Sequence, residues 1–217
     1  MRSGLRFDYI MKAKDGGEFL EELCKYHVSG QLKIAPEHIT DRVTWVMGKS
    51  NKKVYVDFVR KFEAINKKLG KKQYLVPYFM SSHPGATLKD AVELAEFLHE
   101  MGYHPQQVQD FIPTPGTLST CMYYAGIHPL TGEKIYTAKS YEEKQMQRAL
   151  MQYWLPGNYE LVCKALKAAH REDLIGYDRH CLVRPRKQGV RAEGQGKEPS
   201  KHNKHNSSNT RKKKVHR

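Results

Sequence analysis

Apolar runs of strand length alternate along this chain with amphipathic runs of helix length, and that order restricts the fold more than any other feature. Leu5 to Ile10 is short and apolar and reads as a strand. Glu18 to His27 sets Phe19, Leu20, Leu23 and Tyr26 at helical spacing. Gln31 to Ala35 alternates like a strand and stops at Pro36. Thr40 to Met47 reads as a short helix, with Asp41 or Thr40 as its cap. Val54 to Leu69 places Val54, Phe58, Phe62, Ile65 and Leu69 on one face, and Gly70 suits the left-handed C-cap that ends such a helix. Tyr74 to Met80 is a near-continuous apolar run, the pattern of a buried parallel strand, although Pro77 donates nothing to a ladder. Leu88 to Met101 is a second strong helix closed by Gly102, and Gln107 to Ile112 reads as a last strand. Strand, helix, strand, helix in succession predicts an α/β fold with parallel strands joined by crossover helices.

The texture changes after Pro113. Residues 113–134 are rich in Pro, Gly, Thr and Tyr and read as a long ordered loop. Ser140 to Trp154 and Asn158 to His170 read as helices separated by Pro156 and Gly157. From Lys187 onward ten basic residues face two acidic ones, a local charge of +8 out of +14 for the chain, with almost no apolar side chains. That composition predicts disorder. Three regions follow: 1–118, 119–186 and the basic tail 187–217.

The four cysteines, Cys24, Cys121, Cys163 and Cys181, form no CxxC pair and no three-cysteine motif. Their low density argues against a disulfide framework and for a reducing compartment. With no membrane-length apolar run and no signal-peptide core, the expectation is a soluble cytoplasmic protein without a membrane partner.

Chemistry concentrates in the turns after the strands: Ala35 to His38, Ser81 to Thr87 and Pro113 to Thr117. Parallel α/β folds bind ligands at the carboxyl ends of their strands, so the three turns either converge on one ligand or are ordinary connections. Glu37 and His38 suit a ribose or an acid–base pair, and equally the start of a helix. His83 faces a ligand or is a satisfied loop histidine. Ser3 and Arg6 suit a carboxylate. Cys121 is a nucleophile candidate or simply buried, and Cys163 reads as core. His180 and Cys181 are adjacent, which is poor ligand geometry, and no metal site is assigned. Lys212, Lys213 and Lys214 would give the tail weak affinity for nucleic acid through counterion release. The tail has no Phe, Tyr or Trp to stack on bases, which argues against a specific single-strand site.

Several long strings carry a family resemblance: residues 3–8, 26–38, 47–49, 74–87, 108–122, 149–154 and 171–177. Together they resemble the YgiQ branch of the radical S-adenosylmethionine (SAM) superfamily, over roughly 1–186. The resemblance implies the C-terminal strands of a partial (β/α) radical-SAM barrel in 1–118 and a family-specific loop and helices in 119–186. It implies SAM and a [4Fe–4S] cluster as cofactors of the full-length family, for 5′-deoxyadenosyl radical chemistry on an unknown substrate. By the same resemblance Ser3 and Arg6 move towards the methionine carboxylate, and Glu37 and His38 towards the ribose. Ser82, His83, Gly85, Phe111 and Pro113 then line the adenine. The CxxxCxxC cluster motif and the first strands of the barrel are absent. The expectation is therefore a fragment: a truncated gene model, a split gene, or one half of a protein whose N-terminal half is a separate chain. Alone it should hold no cluster and run no radical chemistry. The alternative is a non-catalytic polyanion-binding protein acting through its basic tail.

Overall fold

The computed structural model describes residues 5–186. Ser3 and the tail lysines Lys212, Lys213 and Lys214, with the disorder expected from Lys187 onward, lie outside them. In chain order the elements are α1 (Phe7–Lys12), α2 (Gly16–Glu22) running into a π-helical turn (Leu23–His27), β1 (Gln31–Glu37) and α3 (Asp41–Val46). Then come α4 (Lys52–Leu69), β2 (Tyr74–Ser81), α5 (Leu88–Glu100), β3 (Gln109–Asp110), α6 (Leu118–Ala125), α7 (Tyr141–Met151) and α8 (Tyr159–Ala168). The strands form one parallel sheet in the order β1-β2-β3.

The long helices follow their periodicity. In α4, Phe58, Phe62 and Ile65 are buried, the Asn51 side chain caps the first turn, and left-handed Gly70 ends the last. In α5, Thr87 and Asp90 form a reciprocal capping box. Pro77 sits in β2 without breaking it. Its carbonyl accepts from the Tyr103 hydroxyl at 3.3 Å. Its ring nitrogen faces the same side, where β3 does not reach, since β3 pairs only with Met80 and Ser81.

Three expectations need correction. Leu5 to Ile10 is not a strand: Leu5 alone bridges Ile34, and helix α1 starts at Phe7. Phe7 and Ile10, three apart, share the buried side, and Asp8 in the first turn favours the helix. The strands form no barrel among the described residues. The outer edge of β1 meets only Leu5, and the strand expected at Gln107 to Ile112 pairs only at Gln109 and Asp110. The expected loop 113–134 contains α6, capped by the Thr117 hydroxyl and closed by left-handed Gly126.

Side-chain alternation splits the sheet into two faces. Leu32, Ile34 and Phe79 point into a core shared with Phe7, Leu20, Phe58, Phe62, Leu94 and Leu98. On the opposite face Lys33, Ala35, Val76, Tyr78 and Met80 stay half-buried. Parallel sheets are normally covered on both faces, and among the described residues this second face is only half covered. A second cluster lies behind α5. There Ala91, Val92 and Ala95 pack against Ala149 and Leu150 of α7 and Val162 and Leu166 of α8. Helix α5 thus belongs to both cores and holds the C-terminal helices against the sheet.

Candidate functional site

The carboxyl end of β1 is built around an unusual backbone. The pairing with β2 slips between Ile34 and Glu37, and Glu37 adopts φ of 66°, in the left-handed region. A non-glycine residue there costs free energy, and such residues collect at ligand sites. The Glu37 carboxylate lies at this carboxyl end of the strand. Lys49 stands 3.5 Å from it and also donates to the Ala35 carbonyl at 3.1 Å. Lys49 reaches this spot because left-handed Gly48 reverses the chain after α3.

His38 lies beneath, 3% exposed, and its Nδ1 accepts from the Thr40 N–H at 3.2 Å. Burial pushes its pKa down to about 4, so the ring is neutral with its proton on Nε2. The tip of β2 repeats the backbone device, with Ser82 at φ of 60°. The Ser82 N–H donates to Gln147 Oε1 at 3.0 Å, and its buried hydroxyl has no partner. Gly85 donates to the Tyr136 carbonyl at 2.7 Å, and a Cβ there would stand 3.1 Å from Val46. The glycine therefore lets the turn press against α3.

His83 is also buried, which lowers its pKa. Its Nδ1 faces the Pro84 carbonyl at 2.7 Å, which can only accept, so Nδ1 carries the proton. Nε2 then accepts from the Ser119 hydroxyl at 2.9 Å, and the ring packs edge-on against Phe111 at 5.1 Å. At β3, Asp110 accepts from the Ser81 hydroxyl and from Arg148 of α7.

These tips surround one hollow of about 440 Å³, lined by Glu37, Lys49, Met80, His83, Phe111 and Ser119 among others. The structure therefore brings together Glu37, His83 and Phe111 of the residues expected from sequence. Arg6 is engaged elsewhere: its guanidinium grips Asp8 at 2.9 and 2.7 Å and lies over Tyr9. His38, Ser82 and Gly85 belong to the same turns but do not line the hollow, and Pro113 lies between two hollow-lining residues, Ile112 and Thr114. Sequence reasoning missed Lys49 and Ser119 as lining residues. The glycine before Lys49 was the available signal for a chain reversal. Nothing local marked Ser119, because its role depends on a helix hidden in a loop-like composition.

The cysteines do not gather. Cys24 is buried in the first core, Cys121 lies exposed on α6, Cys163 is on α8 and Cys181 in the turn after it. Among the described residues no helix is long and apolar enough to cross a membrane.

Parallel α/β folds place their ligands at the carboxyl ends of the strands, which is where this hollow lies. The chain belongs to the family described as Domain of unknown function (DUF3362), whose model matches residues 106–217. It is similar to a UPF0313 protein of Clostridium botulinum (strain 657 / Type Ba4), 60% identical over 183 residues, which are 84% of this chain and 28% of that one. A UPF0313 protein of Methanocella arvoryzae is 55% identical over 84% of this chain and 30% of its own length. One from Clostridium perfringens is 57% identical over 85% of this chain and 28% of its own. The chain thus spans under a third of the curated relatives it matches, and UPF0313 is the YgiQ-type family that the sequence strings resemble. No solved structure matches the chain significantly.

Proposed function

We propose that this chain supplies the SAM-contacting strand ends of a radical SAM iron–sulfur enzyme. The observation that carries the reading is the meeting of three successive strand tips, through Glu37, His83 and Phe111, around one hollow. The residues fit such a ligand. The volume is within the range of small-molecule sites, roughly 300–1,000 Å³. Glu37 offers a carboxylate for ribose hydroxyls, Phe111 an aromatic face, and Lys49 a cation. Arg6, held by Asp8, is less free to take that last role. Two left-handed residues and a buried unpartnered Ser82 hydroxyl add the strain and unmet polarity that ligand sites keep.

When bound, SAM would supply the 5′-deoxyadenosyl group for radical chemistry on a substrate that stays unassigned. The protein's own part is positional. Neutral His83 and Ser119 fix the wall between β2 and α6, and Glu37 and Lys49 orient the polar end of the ligand. The chain's own residues do not fit a [4Fe–4S] cluster, since no three cysteines approach one another among the described residues. Cluster ligands would come from other sequence, and the half-covered sheet face is the side left for it.

The test is SAM binding by equilibrium dialysis, on this chain and on a full-length UPF0313 relative. Glu37→Gln, made here and at the corresponding position of the relative, is expected to weaken binding roughly ten-fold by removing a charge-assisted hydrogen bond. Unchanged SAM affinity in the full-length variant overturns the assignment.

A further inference from the structure

The C-terminal part contains a side-chain cluster that the strand-end hollow does not use. After α8 the chain turns back, and Ile175 bridges Val183 in parallel. The Gly176 N–H donates to the Val183 carbonyl at 3.0 Å, and the Cys181 N–H to the Asp178 carbonyl at 3.0 Å. The result is a tight knuckle over residues 176–181. From outside, His99 of α5 pins it: Nε2 donates to the Arg179 carbonyl at 2.7 Å, while Nδ1 faces the Tyr153 hydroxyl at 2.9 Å.

Within the knuckle the ligand atoms of Asp178, His180 and Cys181 all lie within 4.8 Å of one another. His180 Nε2 and Cys181 Sγ are 3.9 Å apart. Adjacency in sequence therefore does not separate these two donors, because the turn folds both onto one side. Donors on a tetrahedral zinc ion stand about 3.3–3.6 Å apart, as bond lengths near 2.0–2.3 Å require, so the imidazole and thiol are already near that spacing and the side chains of this exposed turn must draw in by about 1 Å to close the set. Gly176 is part of the fit: a Cβ there would stand 2.9 Å from Cys181 Sγ.

We propose that Asp178, His180 and Cys181 form a binding site for a zinc-class divalent cation. One thiolate, one imidazole and one carboxylate suit a borderline-soft ion rather than calcium or magnesium. Three protein donors leave a fourth position for water or an external donor. Binding forms the metal–sulfur bond as the Cys181 S–H proton passes to solvent, with no change in oxidation state. The ion would staple the knuckle that closes the second core over α5, where Leu174, Leu182 and Val183 are buried.

Cobalt(II) is the probe, titrated into the full 217-residue chain with its thiols reduced. Expected are tetrahedral d–d bands and a thiolate-to-cobalt charge-transfer band that saturate at one equivalent and disappear on adding zinc. Cys181→Ser should abolish the charge-transfer band, and Cys121→Ser, which alters the exposed thiol on α6, should leave it unchanged. Asp178→Asn and His180→Ala should weaken cobalt binding roughly 10–100-fold, and Gly176→Ala, which keeps every donor, roughly ten-fold. Histidines in the tail, His202, His205 and His216, can bind cobalt without sulfur, so the charge-transfer band separates them from this site. Circular dichroism checks that each variant folds. If one does not, Asp178→Asn and Gly176→Ala carry the test, since both retain Cys181. A wild-type chain without the charge-transfer band overturns the proposal. So does a folded Cys181→Ser chain that keeps the band, or an Asp178→Asn chain with undiminished affinity.

Discussion

The strand tips and the α5–α7–α8 cluster are built on opposite rules. The helical cluster is assembled from small side chains, Ala91, Ala95, Ala149 and Ala165, which let the helices approach closely around Leu150 and Leu166. Its rim is electrostatically satisfied: Arg171 holds Glu96 at 2.9 and 2.7 Å and also grips Asp173. The strand tips carry two left-handed non-glycine residues, two buried imidazoles, an unpartnered hydroxyl and a lysine–carboxylate pair at 3.5 Å. Two of the three left-handed non-glycine residues among the described residues, Glu37 and Ser82, thus stand at one end of the sheet, and the third, His170, follows α8. The fold thus sets a region of close helix packing beside a region whose cost a ligand at the strand tips would relieve.

The largest break in that comparison is a cavity in the helical cluster. Leu150 is fully buried between α5 and α8. Leu150→Ala should lower unfolding free energy by about 2–5 kcal/mol, because lost transfer energy and a residual void add together. Urea denaturation measures it. A loss below about 1 kcal/mol would mean that the cluster collapses freely and does not support the tips.

Acid should act on the other region. His38 titrates near 4 in the folded protein, against an ordinary value of 6.5, because burial opposes its charge. Between those pH values the unfolded chain binds the extra proton, so stability is full above 6.5 and falls as pH drops to about 4. The loss approaches about 3 kcal/mol for a shift of this size. Burial displaces His83 in the same direction, which steepens the slope. Asp8 is held down by its hydrogen bonds from Arg6, so its contribution is lost only at more acid pH. Unfolding free energies across this range should show the decline, and His38→Gln should flatten most of it. An equal slope in the variant would place the acid sensitivity elsewhere.

The sequence shows the helical half of this contrast better than the strand-tip half, for a physical reason. Helices α4 and α5 are long enough for a 3.6-residue period to stand out, and Gly70 and Gly102 mark where they stop. Strands β1 and β2 show through alternation and through an apolar run. Leu5 to Ile10 misleads because six residues cannot separate a period of 2 from one of 3.6, and Phe7 with Ile10 suits a single helical turn. Helix α6 is hidden because Thr117 and Gly126 sit among residues that also make turns. Barrel closure is a property of strand edges, and the sheet seen here stops at Leu5 on one side and at Gln109 and Asp110 on the other. The strand-tip site is half legible: Glu37 and His83 lie in the turns after the strands and Phe111 in a string that carries the resemblance, whereas the slip that throws Glu37 into left-handed backbone has no local sequence signature. Lys49 arrives through a chain reversal, and Ser119 through tertiary packing.

The finest probe of the contrast is Ser82. Its left-handed backbone costs a Cβ-bearing residue about 1–2 kcal/mol, a cost that glycine avoids. Its buried hydroxyl lacks a partner, and removing an unsatisfied buried group returns roughly 1 kcal/mol or more. Against these stands the greater backbone freedom of unfolded glycine, about 0.5–1 kcal/mol. The hydrogen bond from the Ser82 N–H to Gln147 survives the change. Ser82→Gly should therefore raise stability by about 1 kcal/mol. At Glu37 the same replacement relieves the backbone but discards the carboxylate beside Lys49, so its gain should be smaller. Measured side by side, the two variants separate strain from chemistry. A site kept strained for its ligand predicts a more stable Ser82→Gly protein that binds SAM less well. A Ser82→Gly protein that is less stable than the parent would mean that the hydroxyl is satisfied within the fold, leaving Glu37 as the strained tip that faces the hollow.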